Sequence, residues 1–448
     1  MLTLFSTCKP FRGRVAVSQR NAIESWVRLG RGCDVVLVGD DEGTAEVARA
    51  LGARHVPEVE RDEQRTPLLD SVFTAAEATA RHDLVCYVNA DIMLTSDFLD
   101  AVARLGDGPL LMVGRRWDLD LDGPWDFETP GWDARLRELA RASGTQKDVR
   151  GGSDYFVFRR GQWPEVPPFA IGRTGFDLWL IHAARFHGFP VIDASACVTP
   201  VHQNHDYGHA SGGWEEVWQG SAALRNRALM GGRFGAYDFL DATWLMTPHG
   251  LEPADTPAHR ARRIERRLAA AETLNELGRY EDALDVTLAD APAFTTPETA
   301  RRHARAALRA LYALGRHNVA ERLLDNVCAR FPEPHVVYNL ASVCEELGAL
   351  DAAVVRFEAV LARAGNAPAL RAGTLFHLAS IAASKGETGK AAELAQACLD
   401  ENPDHNAART LQLNLMCDAG AVSAAYVEGL KRLGRPLLVE NACRAARP

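Results

Sequence analysis

CYVNADIML, residues 86–94, decides how this chain is read. The run DLVCYV (83–88) has the length and apolarity of a buried strand, yet it breaks into Asn89-Ala90-Asp91 before resuming as Ile92, Met93 and Leu94. In an open α/β sheet, ligands bind outside the carboxyl ends of the strands, and Asn89 and Asp91 fall there if 83–88 is a central strand. A carboxylate at that place either forms the turn or caps a helix, or it holds a divalent cation against a phosphate chain.

Working outward, short apolar blocks alternate with helical patterns over the first 200 residues. LTLF, DVVLV (34–38), DLVCYV, PLLMV (109–113), DYFVF (154–158) and PVID (190–193) read as strands. Between them, SQRNAIESWVRL and TPLLDSVFTAAEATA read as helices, the second opening with Thr66 as cap and Pro67 at the first helical position. This alternation predicts an α/β fold with a mostly parallel sheet.

After about residue 262 the strand pattern stops and alanine-rich helix takes over. Glycines 278, 315, 348, 386 and 420 stand 37, 33, 38 and 34 residues apart, and each is followed five residues later by Ala283, Ala320, Ala353, Ala391 or Ala425. A glycine at the turn between two helices and a small residue where they cross are what a stacked helix hairpin needs. Pro332 and Pro403 each lie seventeen past their glycine. The pattern resembles a tetratricopeptide array, most clearly at LGRYEDAL (277–284). TPHGLEPADTP (247–257) reads as the connection. The expected organisation is an α/β domain over 1–250, a linker over 251–261 and helical repeats over 262–448.

The 448 residues suffice for two or three separate cores. A formal charge of −9, with both signs interleaved, argues against a nucleic-acid partner or an anionic membrane patch. Nine cysteines occur singly, in none of the paired spacings of zinc or redox motifs, which suits a reducing cytosol. MLTLFSTCKPFRGR lacks the basic start and long apolar core of a signal peptide, and no segment has the length to span a bilayer. A cytoplasmic location is the expectation.

Three further stretches carry candidate chemistry. GGSDYFVFRR (151–160) places Gly151, Gly152 and Asp154 before a strand, either as a tight turn or as backbone that approaches a bulky ligand. In GFDLW (175–179), Asp177 stands before an apolar helix, where an acid is favourable for the first turn. PVHQNHDYGH (200–209) packs His202, His205, Asp206 and His209 into eight positions, as a solvated loop or as a ligand cluster. Trp214 and Trp218, four apart, suit the buried face of a helix or a sugar-stacking surface.

The order of these elements resembles the GT-A type of nucleotide-sugar glycosyltransferases, whose Asp-x-Asp element, glycine loop, helix-starting acid and histidine match 89–91, 151–160, 175–179 and 200–209 over roughly residues 1–250. The resemblance implies a GT-A-like (Rossmann-like) sheet and an enzyme moving sugar from a nucleotide-diphosphate sugar to a hydroxyl acceptor on a glycan or protein. Asp91 and His202 would hold a divalent cation, manganese rather than magnesium because the ligands mix oxygen with nitrogen. Asp177 would be the general base, which implies inversion at the anomeric carbon. Asn89, in place of a first Asp, is a weaker metal ligand suited to hydrogen-bonding ribose or sugar. Gly152 and Asp154 would face the donor. By position at strand ends, Ser6, Thr7, Asp40 and Arg65 join the donor contacts. The repeats would recruit the acceptor or a protein partner. Two rival readings are a non-catalytic scaffold, which Asn89 keeps open, and a nucleotidyltransferase, against which the absence of a lysine-bearing glycine loop counts.

Overall fold

Alternating side chains along DLVCYV set the layering: Leu84, Cys86 and Val88 join one apolar layer, and Val85 and Tyr87 the opposite one. A strand buried on both faces belongs to the middle of a sheet covered by helices. The computed structural model describes residues 1–30, 32–204, 213–231, 236–288 and 296–418. They divide into two compact units, Met1–Arg263 and from Ile264 onward.

The first unit contains strands β1 (Leu2–Thr7), β2 (Cys33–Val38), β3 (Arg54–Val56), β4 (Leu84–Val88), β5 (Ile92–Met93), β6 (Leu111–Val113), β7 (Trp117–Leu119), β8 (Thr145–Gln146), β9 (Tyr155–Arg159), β10 (Val191–Asp193), β11 (Val201–Gln203), β12 (Trp244–Thr247) and β13 (Gly250–Pro253). Its helices are α1 (Gly13–Val27), α2 (Thr44–Leu51), α3 (Leu69–Thr79), α4 (Ser96–Val102), α5 (Trp132–Ser143), α6 (Phe176–Phe186), α7 (Gly213–Gln219) and α8 (Ser221–Leu229). The main sheet runs β13-β12-β10-β6-β9-β4-β1-β2-β3. β1 pairs in parallel with both β2 and β4, so the chain order reverses beside β1, while β9 runs antiparallel between β4 and β6. A reversal of this kind opens a crevice at the strand ends.

One layer centres on Trp26 of α1 and Phe98 of α4, the other on Phe5, Phe73, Phe156 and Phe158. Phe73 and Phe158 stack with centroids 5.2 Å apart, and Phe5 meets Phe73 edge-on at 5.3 Å. Burying each such ring is worth roughly 2 kcal/mol, which makes these layers the rigid floor of the crevice.

Two expectations change in detail. The helix expected from Thr66 and Pro67 starts at Leu69, because Pro67 and Leu68 are spent on bridges to Arg61 and Ala170. Leu68 N donates to the Glu60 carbonyl at 2.9 Å, and Ile171 N to that of Pro67 at 3.0 Å. The proline-rich stretch from 247 is no free connection: β12 and β13 form a hairpin that extends the sheet edge. Pro248 and His249 make the turn, and Gly250, with φ of 140°, opens β13.

From residue 257 the described residues form helices: α9 (Pro257–Glu276), α10 (Tyr280–Leu288), α11 (Pro297–Ala313), α12 (His317–Arg330), α13 (Pro334–Glu346), α14 (Leu350–Arg363), α15 (Pro368–Ser384), α16 (Thr388–Glu401) and α17 (Asn406–Asp418). Gly278, Gly315, Gly348 and Gly386 end helices in the left-handed region, with φ of 72°, 69°, 74° and 78°. The residue after each donates its N–H to a carbonyl five back, as in Arg316 to Leu311 at 2.8 Å, which satisfies the orphan carbonyls of the last turn. Ala283, Ala320, Ala353 and Ala391 are all fully buried at the helix crossings. The repeat read from glycine spacing is therefore a helix-hairpin array; Gly420 and Ala425 lie outside the described residues.

Ala353 is fully buried in the core of the helical unit. Ala353→Leu should cost about 1–3 kcal/mol and lower the urea midpoint of the helical circular-dichroism signal, with little effect from Ala→Leu at an exposed site.

Candidate functional site

The Asn89–Asp91 turn is fixed from beneath. Ile92 N donates to the Asn89 carbonyl at 3.1 Å, closing the turn, and Asn89 N donates to the Asp154 carbonyl at 2.9 Å, carrying the β4–β9 ladder one step further. From α1, Trp26 Nε1 donates to the Ile92 carbonyl at 2.8 Å and Ser25 Oγ accepts from Leu94 N at 3.0 Å. Buried Gln203 receives Asn21 Nδ2 at 2.8 Å and donates Nε2 to the Ser18 carbonyl at 2.8 Å and the Asp91 carbonyl at 3.3 Å. Donors and acceptors buried in this way are satisfied by one another, so the turn has a single resting geometry.

A second, smaller sheet, β5-β11-β7-β8, then assembles the polar cluster. His202 pairs in register with Ile92 on one side and Asp118 on the other. Its Nε2 lies 3.8 Å from Asp91 Oδ2 and its Nδ1 3.0 Å from Asp118 Oδ1. Asp118 also meets Lys147 Nζ at 2.7 Å and Arg116 Nε at 2.8 Å. Its carboxyl is held well below the usual range: burial opposes this, but the His202, Lys147 and Arg116 contacts outweigh it. Arg116 reaches on to Asp154 at 2.7 Å, and Asp154 accepts from Asn89 Nδ2 at 2.6 Å.

Above this floor, at the reversal beside β1, lies a cleft of about 390 Å³ walled by Thr7, Lys9, Arg61, Arg65, Asp91 and Arg173, among others. Lys9 is anchored through its backbone: its N–H donates to Gln19 Oε1 at 2.7 Å and its carbonyl accepts from Gln19 Nε2 at 2.8 Å. Burial lowers the Lys9 ammonium pKa, against the pull of Asp91's charge, and the nearby Arg173 lowers it further. Arg65 is the one non-glycine with positive φ, 62°, among the described residues. That conformation costs about 1 kcal/mol in a residue with a Cβ. The turn holding it is tied by Asp62, whose Oδ1 accepts from Gln64 N at 3.0 Å and Thr66 N at 2.8 Å.

The other sequence-derived candidates fall as follows. Thr7 lines the cleft with a buried hydroxyl that has no hydrogen-bond partner among the described residues, whereas Ser6 is fully buried and bonds the Thr7 carbonyl. Asn89 lines the cleft too, with its amide on Asp154. Asp40 stands on a neighbouring open depression, paired with Arg61 at 2.7 Å, and Asp41 takes the place on the cleft wall. Gly152, at φ of 80°, passes so near Lys147 that a Cβ would come 2.6 Å from its Cγ, and its carbonyl accepts from Arg116 N at 3.0 Å. Asp177 opens α6 one residue beyond Phe176, which lines the cleft. His205, Asp206 and His209 lie outside the described residues, as does the side chain of Trp214; Trp218 is on α7, partly exposed. Lys9, Arg61, Asp118 and Arg173 escaped sequence reading, since single charged residues in loops and a three-residue strand leave no periodic trace.

Asp91 and His202 bring one oxygen and one nitrogen within 3.8 Å of each other, and Asp118 at the other ring nitrogen is the kind of partner that orients a metal-ligating histidine. A divalent cation that keeps phosphate and water in its remaining positions fits that donor set. Among the described residues no group of three or more His, Cys, Asp and Glu side chains converges.

Burial raises the Asp177 pKa from 3.8 to about 6, helped by Asp154's charge and opposed by backbone N–H groups at the helix start. A carboxyl with a raised folded pKa binds its proton more tightly in the folded chain, so its contribution to stability is lost as pH climbs from 3.8 to about 6. Asp177→Asn should therefore raise the melting point above pH 6, by on the order of 1–2 kcal/mol of stability, with the gain fading as pH approaches that of the free carboxyl.

No protein-family profile matches the chain, and no curated protein does. Among solved structures it is similar to the nearly identical TPR-like repeats of a putative kinesin light chain from Podosopora anserina, at 18% identity over 42% of this chain and 99% of that one, TM-score 0.29. It is similar also to MamA from Desulfovibrio magneticus RS-1, at 18% identity over 42% and 98%, TM-score 0.27. A third is PilF of Pseudomonas aeruginosa, at 14% over 39% and 77%, TM-score 0.28.

Proposed function

We propose that the α/β unit is a GT-A-like glycosyltransferase acting on a nucleotide-diphosphate sugar, and that the helix-hairpin array docks its acceptor or a protein partner. One observation carries the first half: Asp91 lines a cleft walled by cationic side chains, beside the strand where sheet order reverses, and His202 stands 3.8 Å behind it. Asp91 and His202 would hold a divalent cation, manganese by preference, which when bound offsets charge on the departing diphosphate. Thr7 and Asn89 border the same space. Asp177, with a pKa near the working range, is suited to take the proton of the incoming hydroxyl and leave an inverted product. The second half is supported by stacked hairpins, which form extended binding faces.

A donor that binds only the folded chain must raise its melting point, by about 2.7 kcal/mol of stability at a hundredfold excess over Kd. In a panel of nucleotide-sugars with manganese, one donor should do so, and Asp91→Asn should remove the manganese-dependent part. An NMR-determined product with retained configuration would remove Asp177 from the base role.

A second reading, a scaffold whose sheet unit is non-catalytic, is favoured by Asn89 being spent on Asp154 and by the lack of a three-ligand cluster among the described residues. It predicts no calorimetric heat with any nucleotide-sugar. Under the transferase reading, a chain ending at Arg263 keeps donor hydrolysis and loses transfer to its own acceptor; undiminished transfer would separate the array from catalysis.

A further inference from the structure

We propose that the cleft binds the diphosphate of its ligand through Lys9 and Arg65 without needing a divalent cation. The choice of ligand class rests on the transferase reading; the charge argument does not. Lys9, Arg61, Arg65 and Arg173 share one cleft with Asp41 and Asp91. Arg61 is committed, meeting Asp40 and Asp41 at 2.7 Å each, which also accounts for Asp41. Lys9 and Arg65, by contrast, form no ion pair among the described residues.

Both are held as if for a task. The Gln19 side chain grips the Lys9 backbone from two directions. Arg65 is kept in the left-handed region, with its carbonyl accepting from Arg61 Nη1 at 2.9 Å. Strain retained at a cationic residue on a cleft wall is a mark of function, since a glycine there would relieve it. Thr7 adds a buried hydroxyl with no hydrogen-bond partner among the described residues. Together they offer an ammonium, a guanidinium fork and a neutral hydroxyl, a set complementary to two linked phosphates. Among the described residues Asp91 and His202 are the two donors at this point, and a cation held by them would take phosphate into its shell. On this account the two cationic side chains supply binding, and a cation held by Asp91 and His202 would serve only the leaving group.

The test is calorimetry on the full chain with inorganic pyrophosphate and with UDP and GDP, in excess EDTA and again in manganese. Pyrophosphate should bind in EDTA, Lys9→Gln and Arg65→Gln should each weaken it about tenfold, and Lys9→Arg should largely retain it. Asp91→Asn should not weaken binding in EDTA, because it removes a like charge from the ligand's surroundings. Should Lys9→Gln fail to fold, Arg65→Gln on its surface loop and the salt dependence of the wild-type affinity carry the same information. Binding seen only with manganese overturns the inference and leaves the transferase reading intact. Pyrophosphate binding in EDTA that both Gln variants leave unchanged also overturns it. Pyrophosphate bound in EDTA by a chain that takes no nucleotide-sugar supports the inference and removes the transferase reading.

Discussion

The double attachment of Asn89 to Asp154 is the constraint from which the site follows. Backbone bonds to backbone and amide to carboxylate, so the end of β4 and the start of β9 cannot part without stranding buried polar groups. Asp154 in turn holds Arg116, Arg116 holds Asp118, and Asp118 faces His202. The chain of contacts alternates acid and base throughout. It also gives the amide at position 89 a physical reason: a carboxylate there would sit against the Asp154 carboxylate, at a place where Arg116 already supplies the available positive charge.

Much of the architecture was legible because it rests on period and composition. The unbroken apolarity of DLVCYV predicted a buried strand, and glycine-to-alanine spacing predicted the hairpins from Gly278 to Ala391. Sequence order placed Asp91 and His202 as candidates for one location, and the structure brings them within 3.8 Å. What stayed hidden depends on tertiary register. β5, β7 and β8 are two or three residues long, too short for any pattern, yet they align Asp118 with His202. Lys9 and Arg65 were equally opaque in their geometry, since a backbone clamp and a left-handed φ arise from neighbours distant in sequence. The cap read at Thr66 failed for the same reason: bridges to Arg61 and Ala170 outcompeted a local hydrogen bond.

The two units solve different physical problems. In the α/β unit, polar groups are concentrated at one end of the central strands of a sheet whose two apolar layers fix them in place. In the helical unit, each hairpin repeats one cap and one small-residue crossing, so its specificity must reside in side chains outside those fixed positions. A protein that pairs a rigid polar cleft with a repetitive surface can change partner without touching its chemistry, and the proposed division of labour exploits this.

The antiparallel course of β9 has a practical corollary. Because β9 runs against its neighbours, its entry, at Asp154, lies with the exits of β4 and β1, while its own exit near Arg159 is at the opposite end of the sheet. Extra residues accepted between Arg160 and Gln162 would lengthen a remote turn, whereas the same insertion between Lys147 and Ser153 would dislodge Arg116, Asp118 and Asn89 at once. Next to position 161, a glycine at φ of 72° where a Cβ would meet nothing within 4 Å, a reporter peptide can therefore be inserted with the cleft undisturbed.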